Sequence, residues 1–378
     1  VTSATTQRDP ALERLVDRIH TARAAGAQLR IRGGGSKDFY GEPPQGELLD
    51  TRGLAGISSY EPTELVVTAR CGTRLADLEA TLAERGQCLA FEPPHFGDDP
   101  AASAATVGGM VAAGLAGPAR AASGGVRDFV LGATLVNGRG EVLTFGGQVM
   151  KNVAGYDVSR LLAGSLGTLG LIAEVSLKVL PMAPATATLH FEKDQAAALA
   201  QLNAWAGQPL PVNASAWWNG SLLVRLRGAM AAVQAALAEF KRRGGTVVPP
   251  EAASAFWSGL RDHRDEFFVN AHAALAANPR CALWRLSLPS TAPALALDGE
   301  LLIEWGGAQR WLVSALPAAT VRDAAAQVGG HATLFRGQDK RPGVFAPLQA
   351  PLDQIHRELK KAFDPTGLFN PGRLYAGL

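Results

Sequence analysis

Three glycine-rich stretches hold the residues best suited to chemistry. Arg32-Gly33-Gly34-Gly35-Ser36-Lys37 joins consecutive glycines, whose backbone N–H groups can turn inward as an anion nest, to a hydroxyl donor and a positive charge. Such a loop suits a pyrophosphate, although a lone Gly-Gly-Gly is more often a flexible turn. The second stretch runs from Thr106-Val107-Gly108-Gly109 through Gly114 and Gly117 to Gly124-Gly125-Val126-Arg127-Asp128. So many small residues mean that something presses on the backbone, either a flat cofactor or another packed segment; Arg127-Asp128 also reads as a surface ion pair. The third, Gly164-Ser165-Leu166-Gly167-Thr168-Leu169-Gly170, is by itself a loop before a strand. Three anion-friendly loops favour a large phosphorylated cofactor. Neither G-x-G-x-x-G nor G-x-x-x-x-G-K-[ST] occurs, so a Rossmann dinucleotide site and a P-loop are both unsupported.

Other chemistry-bearing residues are scattered. Cys71, Cys88 and Cys281 lie far apart with no C-x-x-C, which excludes a disulfide framework and argues against an iron–sulfur or cysteine-based zinc site within the chain. The seven histidines form no H-x-x-x-H pair, so no metal site is expected. Arg261-Asp262-His263-Arg264-Asp265 reads first as a polar helix face. A net charge of +2 is too small for a nucleic-acid footprint, and no nucleic-acid partner is expected. With 47% apolar and 19% charged residues the composition is globular. No run of about 18 apolar residues exists and the first residues lack a signal-peptide core, so the expectation is a cytoplasmic chain without a transmembrane segment.

The elements that must position these loops fall into two halves. A chain of 378 residues exceeds what one core usually carries. Most of the 42 glycines precede residue 170, and all seven tryptophans follow residue 200. Leu180-Pro181-Met182-Ala183-Pro184 is the natural boundary, because paired prolines interrupt a β-rich run. In the first half, Asp9 and Pro10 open a helix that Gly26 closes. Strands are expected at 28–32, 65–70, 129–136, 142–145 and 171–179, with a helix at 74–85 and a hairpin turn at Asn137-Gly138. In the second half, strands at 188–192, 222–227, 282–288, 301–305 and 309–314 alternate with helices near 194–206, 230–243, 253–270 and 319–328. An antiparallel sheet with helices on one face fits that pattern.

Taken in order, the glycine clusters resemble the FAD-binding domain of the vanillyl-alcohol oxidase (PCMH) type, found in D-lactate and glycolate dehydrogenases. Lys151-Asn152-Val153-Ala154-Gly155-Tyr156-Asp157 and the C-terminal Phe363-Asp364-Pro365-Thr366-Gly367-Leu368-Phe369-Asn370-Pro371-Gly372-Arg373 extend the match. Within the family the chain is most similar to the smaller, E-type subunits of glycolate oxidase. The resemblance implies an α+β fold. A two-subdomain FAD-binding domain would occupy 1–181 (about 1–56 and 57–181), an antiparallel-sheet-and-helix cap 182–330, and a C-terminal segment, 331–378, would return to the FAD domain. It also implies FAD as cofactor. Arg32, Gly33, Gly34, Gly35, Ser36 and Lys37 would hold the pyrophosphate, and Thr106, Val107, Gly108, Gly109 and Gly114 would line its other flank. Gly125, Arg127 and Asp128 would sit at the isoalloxazine end, Thr168, Gly170 and Ile172 at the adenine side, and Asn370 and Arg373 at the flavin edge. Glu92-Pro93-Pro94 would form a loop over the cofactor.

The resemblance further implies partners: a catalytic D-type flavoprotein, an iron–sulfur subunit, and glycolate as the small 2-hydroxy acid of the complex. Any membrane association would be peripheral, through those partners. Catalytic relatives carry paired histidines that are missing here. A hydride leaving a 2-hydroxy acid needs a base for the hydroxyl proton and a cation for the carboxylate. Arg261, His263, Arg264 and Arg336 are the candidates for those tasks, and no covalent flavin tether is evident. Three functions follow: a flavoprotein subunit acting in assembly or electron transfer, a self-sufficient FAD-dependent 2-hydroxy-acid dehydrogenase, or a structural relative that has lost FAD.

Overall fold

The structure, a computed structural model, describes residues 9–97, 103–147 and 157–378. Lys151 to Tyr156 of the expected motif lie outside these residues. The first helix, Pro10–Ala24, starts where the Asp9 side chain accepts from the Ala11 N–H, and its Leu15, Ile19 and Ala22 are buried. They pack over a small parallel pair, Leu29–Arg32 and Glu47–Asp50. Leu29 is also bonded on its free side to the C-terminal segment, donating to Leu368 and accepting from Asn370. The chain end therefore forms part of the first subdomain.

A five-stranded antiparallel sheet forms the second subdomain, in the order Ile57–Glu61, Val66–Arg70, Leu171–Lys178, Val130–Val136 and Val142–Gly146. Helices Leu75–Ala83 and Val107–Ala113 bury Leu75, Leu78, Leu82, Val107 and Met110 in the same core. The turn at Asn137 is longer than a two-residue hairpin. Five residues, 137–141, link the strands: the Asn137 side chain accepts from the Arg139 and Glu141 N–H groups, and Gly140 has φ +79°. Gly138 instead donates to Phe363 of the C-terminal helix Leu352–Phe363.

The cap is an eight-stranded antiparallel sheet. Its order is Thr246–Val248, Ala185–Glu192, Ser221–Gly228, Val212–Trp218, Glu300–Glu304, Gln309–Ser314, Ala282–Ser287 and His331–Gly337. Two expectations are corrected here. The segment from 331 does not leave the cap at once, because His331–Gly337 is the sheet's edge strand, paired with Ala282–Ser287. Helices also cover both faces rather than one. Gln195–Ala206, Met230–Arg242 and Ala318–Gln327 pack on one face, and Pro250–Asp262 and Glu266–Ala277 on the other. The sequence carries the reason, since Leu283-Trp284 and Leu302-Ile303 place large apolar residues on successive positions, as a sheet buried on both sides requires. The second face also packs on Tyr40, Ala113, Leu115 and Leu166 of the N-terminal lobe, so one continuous core joins the lobes. Among the described residues, no helix is long and apolar enough to cross a membrane.

Candidate functional site

The loop after Leu29–Arg32 forms one wall of an open groove that runs between the two subdomains. The opposite wall is the turn from 104 to 106 and the small helix Val107–Ala113 that follows. The two walls touch. A Cβ on Gly34 would lie 1.5 Å from the Ala104 carbonyl oxygen, and one on Gly33 would lie 2.2 Å from Thr106 Oγ1. Gly34 is needed because backbone meets backbone there, and Gly33 because the Thr106 side chain occupies the space a Cβ would take. Among the described residues, the backbone N–H groups of Gly33, Gly34, Gly35, Ser36 and Lys37 have no hydrogen-bond acceptor. Five successive unspent donors beside a groove are what a bridging diphosphate requires, so the residues present fit the cofactor.

The two side chains flanking this nest differ. Arg32 is paired with Asp38 at 2.6 Å. Lys37 has no ion pair among the described residues. Its Nζ lies 3.3 Å from Ser36 Oγ and 5.5 Å from the centre of the Phe96 ring. Burial lowers the Lys37 ammonium from 10.5 to about 8, against the opposing pull of Asp262 and Glu79.

The groove brings together Arg32, Gly33, Gly34, Gly35, Ser36, Lys37, Thr106, Gly108, Gly109, Gly170, Ile172, Asn370 and Arg373. The C-terminal pair acts as a clamp. Asn370 Nδ2 donates to Leu166 at 2.6 Å and its Oδ1 accepts from Ile31 at 2.8 Å, fixing the third glycine stretch against the first strand. Arg373 donates to the carbonyls of Asp38 and Glu42. The structure places the other expected residues elsewhere. Val107 is a core side chain, and the N–H groups of Val107 and Gly108 are spent on Thr73 and Cys71. Gly114 ends the helix at φ +63°, packed on Gly164. Gly125 and Asp128 cap a short helix through a 2.8 Å bond, and Arg127 is exposed outside the groove. Thr168 is buried, bonding Ser165 and accepting from Lys360. Thr51, Cys71 and Gly167 line the groove without having been singled out as binding residues; Gly167 had a signal in the third cluster, while Thr51 and Cys71 merely end strands.

Pro94 lines a second, much smaller pocket between the N-terminal lobe and the cap, with room for about one water molecule. Phe96, with φ +51°, separates it from the groove: its ring is 5.3 Å from Phe39 and 5.0 Å from His263. Arg261 and His263 line this pocket, and Arg336 lies beside it with its guanidinium 3.3 Å over the Phe39 ring. The polar-helix-face reading of His263 is overturned. His263 is 7% exposed, adopts φ +56°, and splits the expected helix at 253–270 into two. A left-handed residue ends the first helix, and Asp265 caps the second by accepting from Phe268. The His263 ring stacks on Phe268 at 3.6 Å, and burial together with the charges of Arg336, His272 and Arg285 holds it well below its ordinary value, so it is neutral. Arg261 is committed to Asp262 at 2.8 Å, and Arg264 contacts the same carboxylate.

Four pocket residues carried no sequence signal: Arg285, Glu304, Gln309 and Trp311, all on cap strands. Glu304 Oε2 accepts from Trp311 Nε1 at 2.6 Å and from Gln309 Nε2 at 3.0 Å. Burial nevertheless pushes this carboxyl up to about 7.

Comparison with known proteins agrees with this geometry. Residues 11–146 match the family described as FAD binding domain. The chain is 46% identical over 364 residues to glycolate oxidase subunit GlcE of Escherichia coli (strain K12), covering 96% of this chain and 97% of that one. Shorter matches, each spanning about a third or less of the relative, include D-lactate dehydrogenase of Anaerostipes hadrus (35% over 136 residues, 36% of this chain and 27% of that one) and glycolate oxidase subunit GlcD of Bacillus subtilis (strain 168) (31% over 160 residues, 42% and 33%). A solved structure of alkyldihydroxyacetonephosphate synthase shares the fold at 15% identity, with a TM-score of 0.63 over 95% of this chain and 75% of that one. The α+β, PCMH-type architecture and FAD as the cofactor stand on these matches. This chain belongs to the glycolate oxidase subunit GlcE family of FAD-dependent oxidoreductases.

Proposed function

We propose that the chain is the FAD-binding subunit of a multi-subunit glycolate oxidase, in which glycolate becomes glyoxylate and electrons pass to a separate acceptor. The residues lining the groove would hold FAD, with the N–H groups of Gly33 to Lys37 donating to its diphosphate. The single observation that carries this reading is that run of five unspent donors. Bound FAD supplies a two-electron acceptor. Lys37 adds the charge for a phosphate, and Asn370 and Arg373 hold the groove's walls in register.

The main glycolate site is assigned to a D-type flavoprotein partner, and onward transfer to an iron–sulfur subunit. Two features support that division. The three cysteines are dispersed. Arg261 and His263, the candidate cation and base of the sequence, are respectively tied to Asp262 and stacked on Phe268. The test is glycolate-dependent dye reduction by the purified yellow chain, alone and with its partners. Turnover that appears only on adding the partner subunits supports the division of labour. Full turnover by the chain alone would make it a self-sufficient dehydrogenase, and a colourless chain would make it a structural subunit.

A further inference from the structure

Just past the nest, the carbonyls of Asp38, Phe39, Gly41 and Glu42 converge on two cations. Arg373 takes those of Asp38 and Glu42. Lys340 takes the other two, its Nζ donating to Phe39 and Gly41 at 2.7 Å each. Among the described residues Lys340 has no ion pair. It is half-buried, and burial and the charge of Arg373 lower its ammonium from the ordinary lysine value, against the pull of Glu42. An ammonium held there without an acid partner is costly unless oriented dipoles offset it, and the turn at 38–42 supplies them.

That turn is tied in two directions. Backward, the Asp38 N–H donates to the Gly35 carbonyl and the Tyr40 N–H to the Lys37 carbonyl, at 3.0 Å each. A trans peptide points its C=O and its N–H opposite ways. The Gly35 carbonyl, held on the turn, therefore leaves the Ser36 N–H facing away from it and unspent. Forward, Lys340 belongs to a strap, 338–345, that follows the cap's edge strand His331–Gly337. Arg322, on helix Ala318–Gln327, holds this strap to the cap through the carbonyls of Pro342, Gly343 and Phe345. The Val344 carbonyl accepts from the Leu334 N–H, and the Val344 N–H donates to Glu42 Oε1.

We propose that Lys340 is a positioning residue for the diphosphate nest, and that through it the strap at 338–345 couples occupancy of the groove to the seating of the cap. Lys340 does not line the groove; it acts through the turn at 38–42. This role rests on the nest reading proposed above and adds that the nest is shaped partly from the cap. The coupling is reciprocal: a held strap favours FAD, and bound FAD holds the strap.

The test titrates FAD into the flavin-free chain, followed by flavin fluorescence, and compares amide hydrogen exchange with and without FAD. Lys340→Met should weaken FAD binding about tenfold, through loss of two charge-assisted hydrogen bonds. Lys340→Arg, which keeps a charge and its donors, should weaken it less, and Arg341→Ala, at the exposed neighbouring position, not at all. In the wild-type chain FAD should slow exchange at Gly343 and Val344, outside the groove. It should leave unchanged the helix Met230–Arg242, which packs near the opposite edge of the cap sheet. The exchange comparison needs no variant, so it decides the matter even where Lys340→Met misfolds. A folded Lys340→Met chain with wild-type FAD affinity, or strap exchange indifferent to FAD, would overturn this role and leave the nest standing. A wild-type chain that binds no FAD would overturn the nest and this role with it.

Discussion

Glu92 of the FAD lobe accepts from Arg225, in the cap sheet, at 2.8 and 2.9 Å, and the two side chains are almost entirely buried at the seam. Arg227 adds a third contact at 3.1 Å, the Ala119 N–H also donates to Glu92, and Arg225 is held in turn by Asn213. This carboxylate fixes how the cap sits on the flavin lobe. Removing one partner of a buried pair leaves the other charge uncompensated, which costs about 3–5 kcal/mol. Glu92→Ala should therefore lower the unfolding free energy by about that amount in urea denaturation, and Glu92→Gln by less. A Glu92→Ala chain as stable as the wild type would show that the seam does not depend on this contact.

Lys37 makes cofactor affinity depend on pH. Its ammonium, lowered to about 8, is charged below that pH and neutral above it. A phosphate is attracted only to the charged form, so the FAD dissociation constant should rise as pH passes from 7 to 9. Lys37→Met should bind FAD more weakly at pH 7 and show no such step. Flavin fluorescence titrations at several pH values measure both.

Glu304 does the reverse for stability. In the unfolded chain its carboxyl ionises near 4.5, and in the folded protein at about 7. Between these values the unfolded form gives up a proton that the folded form keeps, so rising pH favours unfolding until the loss is complete above 7. The loss is on the order of 3 kcal/mol. Glu304→Gln should gain on the wild type by about that margin between pH 4.5 and pH 8. Asp265, pushed up to about 6 by burial, acts in the same direction but is common to both proteins and cancels. Parallel melting curves across this range for the two proteins would contradict the assignment.

Lys360 supports the groove from behind. Its buried ammonium donates to the carbonyls of Thr168 and Phe369 and pairs with Asp364 at 2.6 Å, joining the third glycine stretch to the Asn370 clamp. Lys360→Met leaves Asp364 buried and unpaired. It should cost about 3–5 kcal/mol in denaturation and release part of the bound flavin.

The groove and the pocket differ in how far they could be read from sequence. The groove's working parts are backbone N–H groups and close-packed glycines, and Gly33-Gly34-Gly35 announces both within three residues. The C-terminal clamp, Asn370 and Arg373, came only through family resemblance, because its partners Ile31 and Asp38 lie more than 330 residues away. The interlobe pocket had no local signature. Arg285, Glu304, Gln309 and Trp311 become neighbours only through strand pairing in the cap. His263 was misread because Arg261-Asp262-His263-Arg264-Asp265 looks helical and polar throughout, whereas one left-handed residue turns the ring inward. Strands Glu47–Asp50 and His331–Gly337 escaped notice because their pairing partners, not their own alternation, define them.

The central claim is that the backbone of Gly33 to Lys37 grips the FAD diphosphate. Its most direct test is the flavin-to-protein ratio of the purified chain and of Gly34→Asp, read from the visible spectrum with folding checked by circular dichroism. A Cβ at position 34 would strike the Ala104 carbonyl, and the added carboxylate would repel a phosphate. The account predicts about one flavin per wild-type chain and almost none in the folded variant; a folded Gly34→Asp chain that keeps its full equivalent of FAD would contradict it.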